Sequence, residues 1–270
     1  LRKTDIEPEA ILAITFTEAG VTAMRRRLAE IIGSAAYNVI ITTFHSFAND
    51  IIQQYPESFA RIIGSQPMTD VDQIRITEQA LDAVPRLEYL RPYGDRYNYL
   101  KNIIHCIKDF KKEGYTPESF SAVVKNVAAR FQKRDDTYHT KGAHKGKMKG
   151  EAKEEQKQIE KNNDLALIYV QYQKRLTEEK LYDYEDMLME ALEAMRTDAS
   201  LLLLLQEKHQ YVLIDEHQDT NNAQNAIIEL LMSYHENPNL FIVGDEKQAI
   251  YRFQGASLEN FLSFKKKFPK

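Results

Sequence analysis

The sequence predicts an α/β protein, a doubly wound parallel sheet with helices on both faces, interrupted by an all-helical insertion. Three observations predict it. Four short apolar runs each end in a small or polar residue. A helical pattern follows each run. Between the second and third runs lies a long stretch with helical periodicity and no convincing strand.

The first run is Ile11-Leu12-Ala13-Ile14, followed by a helical pattern over roughly residues 19–32. The second is Val39-Ile40-Ile41, with a helix over about 46–54. Tyr211-Val212-Leu213-Ile214 and Leu240-Phe241-Ile242-Val243 are the third and fourth, with helices over about 222–234 and 258–267. Short, nearly continuous Val/Ile/Leu-rich runs are the pattern of strands buried on both faces, and strand–helix alternation builds βαβ units. Residues 69–200 instead repeat apolar residues at helical spacing, as in Tyr99, Ile103, Ile107 and Phe110. Residues 1–68 and 201–270 are therefore expected to form one discontinuous sheet domain, and 69–200 a helical insertion. Within it, residues 133–161 are polar and Lys-rich, with glycines at 142, 146 and 150. That composition reads as a mobile loop, either a solvated linker or a basic loop against duplex phosphates.

Composition sets wide bounds. The chain has 270 residues, 43% hydrophobic and 28% charged, enough to build a core and more than a single domain usually needs. Its longest run of purely aliphatic residues, Leu201 to Leu205, is far below the ~20 residues that span a bilayer. With Cys106 the only cysteine, a disulfide framework or cysteine-based zinc site within the chain is excluded, and a reducing cytoplasm is expected. The net charge of −4 argues against coating nucleic acid by bulk charge but leaves room for a local basic track.

The strongest chemical signal is Val212-Leu213-Ile214-Asp215-Glu216-His217-Gln218-Asp219-Thr220. An apolar strand that delivers two adjacent carboxylates at its C-terminal end is the Walker B arrangement, on the sheet edge where ligands bind. Asp215 suits Mg2+, which keeps most of its water shell, and Glu216 can orient and deprotonate a water attacking a γ-phosphate. A lone Asp-Glu would equally read as acidic residues favouring a helix N-terminus. The second signal starts at Val243-Gly244-Asp245 and runs to Ala256. There Gln248 can sense a phosphate, and Tyr251 and Phe253 are either stacking rings for bases or core. Thr15-Phe16-Thr17 and Thr42-Thr43-Phe44-His45-Ser46 follow the first two strands. Their hydroxyls and N–H groups suit phosphate-backbone contacts or ordinary helix capping.

Taken in order, these segments resemble the UvrD/Rep/PcrA family of superfamily 1 helicases along nearly the whole chain. Residues 11–28 resemble motif Ia, 42–47 motif Ib, 213–221 motif II and 242–256 motif III. Residues 182–188, Tyr-Asp-Tyr-Glu-Asp-Met-Leu, resemble the family's LDFDDLL-like segment. The resemblance implies a RecA-like motor domain with ATP and Mg2+ as cofactors and 3′-to-5′ movement on single-stranded DNA. It implies partners in single strands, single-strand/duplex junctions and a second motor domain C-terminal to this one. By matched position, Asp215 is the metal carboxylate, Glu216 the base and also near the metal, and Gln248 the link from phosphate state to DNA grip. Phe16, Thr43, His45, Tyr251 and Phe253 fall on the DNA side.

Several features depart from the family pattern. The GxxxxGK[ST] phosphate loop is absent; Gly146-Lys147 is followed by Met148 and has Lys141, not glycine, five residues before it. The loop is expected just upstream of Leu1 and motifs IV to VI beyond Lys270, so this piece alone is expected not to hydrolyse ATP. Gln254 replaces an arginine, His217 a Phe, Tyr or Ala, and Gly20-Val21 an Ala-Ala pair. Residues 247–251 stand nearer the RecB/AddA helicase–nucleases. A helicase–nuclease, a non-catalytic DNA-binding relative and an RNA-acting ATPase are the competing readings.

Overall fold

The computed structural model describes residues 6–141, 145–234 and 236–245. Two compact units emerge. The first comprises Leu1–Ser65, Lys111–Gly114 and Tyr184–Lys270; the second comprises Gln66–Phe110 and Tyr115–Asp183.

In the first unit, β1 (Ile11–Thr15), α1 (Glu18–Ile32), β2 (Ile40–Thr43) and α2 (Phe44–Gln54) alternate along the chain. The four-stranded sheet has the order β2-β1-β5-β6, with β5 spanning Tyr211–Ile214 and β6 Asn239–Ile242. All its pairings are parallel, with Leu12 opposite Ile40 and Val212, and Val212 opposite Leu240. Leu12, Ile14, Val212 and Ile214 are essentially excluded from solvent, as expected for central strands. Toward the β6 side of the sheet Leu213 and Phe241 pair in register, and among the described residues Phe241 and Val243 are exposed.

Helix starts in this unit are written in the sequence. Thr17 and Thr43 cap α1 and α2 by accepting the N–H groups of Gly20 and Ser46. Asn221 and Gln224 form a reciprocal capping box at α9 (Asn222–Met232), satisfying donors that a helix end leaves open.

The second unit contains β3 (Gln66–Pro67), α3 (Asp70–Ala83), most of α4 (Leu100–Lys112), α5 (Pro117–Gln132), α6 (Gly150–Glu178) and β4 (Leu181–Tyr182). Its core gathers Ile76, Leu81, Ile103, Ile107, Ile168, Tyr169 and Leu176. Capping boxes at Thr69/Asp72 and Thr116/Ser119 open α3 and α5. Asp164, buried on α6, accepts the backbone N–H groups of Glu88, Tyr89 and Leu90 at 3.1, 2.7 and 3.0 Å, which fixes the turn after α3.

Three sequence expectations change here. The insertion is not purely helical, because β3 and β4 pair in parallel with Gln66 opposite Leu181. The chain returns to the first unit at Tyr184, not near 200, because α7 (Tyr184–Thr197) packs against α2 and α9, and α8 (Ala199–Lys208) against α7 and α9. The Lys-rich stretch is not one loop over 133–161. From Gly150 it is the first three turns of α6, where strong helix formers predominate and Ala152 and Ile159 are buried. Before that, Tyr138 bridges Met148, with His139 N–H donating to Lys147 O at 2.9 Å and Gly146 N–H to His139 O at 2.8 Å. Among the described residues no helix is long and apolar enough to cross a membrane.

Candidate nucleotide-hydrolysis and DNA-binding site

The C-terminal ends of β1 and β5 hold the acidic loop in place. Asp215 N–H donates to Ile14 O at 2.9 Å, Val243 N–H to Ile214 O at 2.8 Å, and His217 N–H to Val243 O at 3.0 Å. The loop therefore continues the sheet's ladder for one residue and then turns. It turns at Glu216, whose backbone is left-handed at φ 53°, ψ 39°. That region penalises a residue with a Cβ by ~1–2 kcal/mol, and such strain gathers at functional sites.

Asp215 and Glu216, the two carboxylates expected from the sequence, stand side by side. Asp215 Oδ1 accepts the Glu216 N–H at 3.1 Å. Among the described residues no group of three or more His, Cys, Asp or Glu side chains could cage a metal ion. One strand-end carboxylate is nonetheless a fitting donor set for Mg2+, which is held by one or two carboxylates plus substrate phosphates and waters. The sequence has no phosphate loop, so the chain fits the carboxylate side of a Mg2+–nucleotide site and not its cradle.

Around this pair the side chains are buried and ordered by hydrogen bonds. Gln218, 4% exposed, donates through Nε2 to Glu216 Oε2 at 2.6 Å and accepts the Asp245 N–H on Oε1 at 2.9 Å. A Cβ at Gly244 would fall 2.7 Å from Gln218 Oε1 and 3.2 Å from its backbone nitrogen, so a larger residue there would have to displace the amide from its place. His217 is buried, and burial lowers its pKa to about 4. As a neutral ring it places Nε2 3.0 Å from Asn225 Oδ1, and Thr220 Oγ1 lies 3.0 Å from the same oxygen. Burial raises the Asp219 carboxyl, and the Glu216 charge adds to the rise.

A cleft of about 460 Å³ opens in the same unit. Thr15, Phe16, Thr43, His45, Tyr184 and Asp219 are among the residues that line it. The His45 and Tyr184 rings stack with centroids 3.8 Å apart and planes 18° from parallel, and Tyr184 is 61% exposed. His45 Nε2 lies 3.6 Å from Glu185 Oε2. Thr43 is occupied locally. Its hydroxyl caps α2, and with the Ser46 hydroxyl it donates to Glu18 Oε1 at 3.2 and 3.0 Å. Gly20 has a local cause as well, since a Cβ there would come within 2.7 Å of Thr15 Oγ1.

Of the residues singled out in the sequence, Phe16, Thr43 and His45 thus share one cleft, and Asp215 and Glu216 share one loop. Gln248, Tyr251 and Phe253, and the 247–251 segment, lie outside the described residues. Tyr184 and Gln218 join the site through contacts that the sequence does not signal: both stand in acidic segments whose pattern says nothing of a ring stacked on His45 or an amide bonded to Glu216.

The sequence model of the UvrD/REP helicase N-terminal domain matches residues 1–269 of the chain. Among curated proteins the chain is similar to the ATP-dependent DNA helicase PcrA of Staphylococcus aureus (strain Mu50), at 26% identity over 269 residues. A PcrA of Staphylococcus epidermidis (strain RP62A) is similar at the same identity over the same length. In both cases the match takes in all of this chain and 31% of the relative, so the chain spans about a third of the length of these proteins.

Proposed function

The chain belongs to the UvrD/REP helicase N-terminal domain family, and from that premise we propose that it is part of the first motor domain of an ATP-dependent DNA helicase. What supports the reading most directly is one unit that carries both halves of the chemistry. A strand-end carboxylate pair, Asp215 and Glu216, and an aromatic cleft with Phe16 and the His45–Tyr184 stack belong to the same sheet domain.

In this reading Asp215 is the residue that would hold Mg2+, which when bound would supply charge neutralisation at the nucleotide phosphates. Glu216 orients the attacking water and takes its proton as general base. Its exposure leaves room for a water, and its fixed backbone limits where the carboxylate can swing. Gln248, by its place in motif III, links phosphate state to DNA grip. On the DNA side, Phe16, His45 and Tyr184 offer ring faces, and any base can stack on them because every base has a π-face. Thr43 serves there by shaping the start of α2, and Tyr251 and Phe253 are assigned to the DNA side by their place in motif III alone. The longer protein couples hydrolysis to 3′-to-5′ movement on single strands in repair or recombination. A second motor domain supplies the other wall of the nucleotide site.

The test is ATP hydrolysis by the full-length protein with and without single-stranded DNA, beside its Glu216→Gln variant. DNA-stimulated turnover that the variant loses, with nucleotide and DNA binding kept, is the expected result. Turnover indifferent to DNA would remove the motor reading, and turnover kept in the variant would remove Glu216 as base.

A further inference from the structure

We propose that Gln218 is a positioning residue for hydrolysis, a side-chain amide that fixes the Glu216 carboxylate and ties it to the backbone at Asp245. The proposal rests on the reading of Glu216 as the base. Gln218 is nearly excluded from solvent, and both ends of its amide are used. Nε2 donates to Glu216 Oε2 at 2.6 Å and Oε1 accepts from Asp245 N–H at 2.9 Å. The partners settle which end is which. A flipped amide would set oxygen against a carboxylate and N–H against N–H. Glutamate at this position offers no donor when ionised, leucine and methionine offer neither group, and asparagine is one methylene short.

Two neighbouring observations point the same way. Gly244 has no Cβ where the amide lies, so the segment after β6 is shaped around this side chain. Glu216 is held in a left-handed turn, so its side chain leaves the backbone in a direction the fold dictates, and the amide fixes its far end. With both ends fixed, the carboxylate presents one orientation to an attacking water, which is how alignment lowers a barrier. Because the other end of the amide grips Asp245 N–H, a shift of the backbone after β6 reaches the carboxylate through a single side chain.

The experiment compares Gln218→Met, Gln218→Glu, Glu216→Gln and the double variant Glu216→Gln/Gln218→Met in the full-length protein. ATP turnover, KM for ATP, single-strand affinity and melting temperature are measured for each. Gln218→Met and Gln218→Glu are expected to lower kcat by roughly 10- to 100-fold, the worth of a hydrogen bond to a charged group. KM and DNA affinity should stay within about twofold. Gln218→Glu is the discriminating variant, because it keeps the acceptor for Asp245 N–H and loses the donor to Glu216. Full turnover in that variant would overturn the proposal, reducing Gln218 to a tether for the Asp245 backbone. In the double variant kcat should be no lower than in Glu216→Gln alone. A further drop as large as in the wild-type background would also overturn it, because Gln218 would then act apart from Glu216. Turnover retained by Glu216→Gln itself would instead sink the underlying assignment of the base, and this proposal with it.

Discussion

His209 offers a sharp test of how the first unit responds to acid. It follows α8, is 2% exposed, and meets the Phe47 ring edge-on with centroids 5.4 Å apart. Burial, with the nearby Lys208 charge adding, lowers its pKa to about 4 from an ordinary value near 6.5. In the folded chain the imidazole therefore stays mostly neutral from pH 6.5 down toward 4, the range over which the unfolded chain takes up its proton. Stability from this group is complete above pH 6.5 and is lost as pH falls toward 4. The full loss is about 3 kcal/mol, and between pH 7.5 and 5.0 it is about 2 kcal/mol. His209→Leu removes the proton acceptor and keeps an apolar side chain against Phe47. The packing change contributes equally at both pH values, so it cancels when each protein's loss between pH 7.5 and 5.0 is compared. So do the opposing contributions of Glu190 and Asp219, whose carboxyls are raised by burial. Urea unfolding followed by circular dichroism at the two pH values should show the variant losing ~2 kcal/mol less than the wild type. Equal losses would refute the reasoning, because they would mean that the folded environment accepts an imidazolium at no cost.

Two further outcomes are expected. Lys111, 1% exposed, donates to Asp186 Oδ1 at 2.8 Å, so Lys111→Met leaves that buried carboxylate to Arg61, 3.3 Å away. The variant should lose ~1.5–3 kcal/mol in a denaturant titration, the worth of a hydrogen bond to a charged group, and adding Asp186→Asn should recover part of it; an unchanged midpoint in Lys111→Met would contradict the account. Tyr184→Ala in the full-length protein should weaken single-strand binding by ~1–3 kcal/mol in a fluorescence-anisotropy titration while Tyr184→Phe does not; equal affinity for all three would take the ring out of the DNA path.

The sheet was legible because its strands carry their own evidence. Ile11 to Ile14 and Tyr211 to Ile214 are short, apolar on successive residues and each followed by a helical pattern, which is how the inner strands of a parallel sheet read. The acidic loop was legible for the same reason, since its meaning depends on the strand before it. The unit boundary was not. Residues 184–208 are helical in either unit, and only the packing of α7 against α2 and α9 assigns them. Lys111 reads as a solvated lysine on a charged helix, and nothing local announces the carboxylate 75 residues later that buries it. The β3–β4 pair is two residues long and includes Pro67, too little for periodicity to register. Tyr184 on His45 and Gln218 between Glu216 and Asp245 are pairings across the fold or the turn, and composition carries no trace of them.

The left-handed backbone at Glu216 bears on any attempt to engineer this domain for heat resistance. Glycine is the residue that occupies such a turn without penalty, so a stability-guided search would nominate position 216 early, with an expected gain near 1 kcal/mol. That substitution would discard the carboxylate and leave the Gln218 amide facing an empty place. Leaving that buried amide without its acceptor costs ~1–3 kcal/mol, enough to cancel the backbone gain, so the side-chain contact holds the turn against the replacement that its backbone alone would favour.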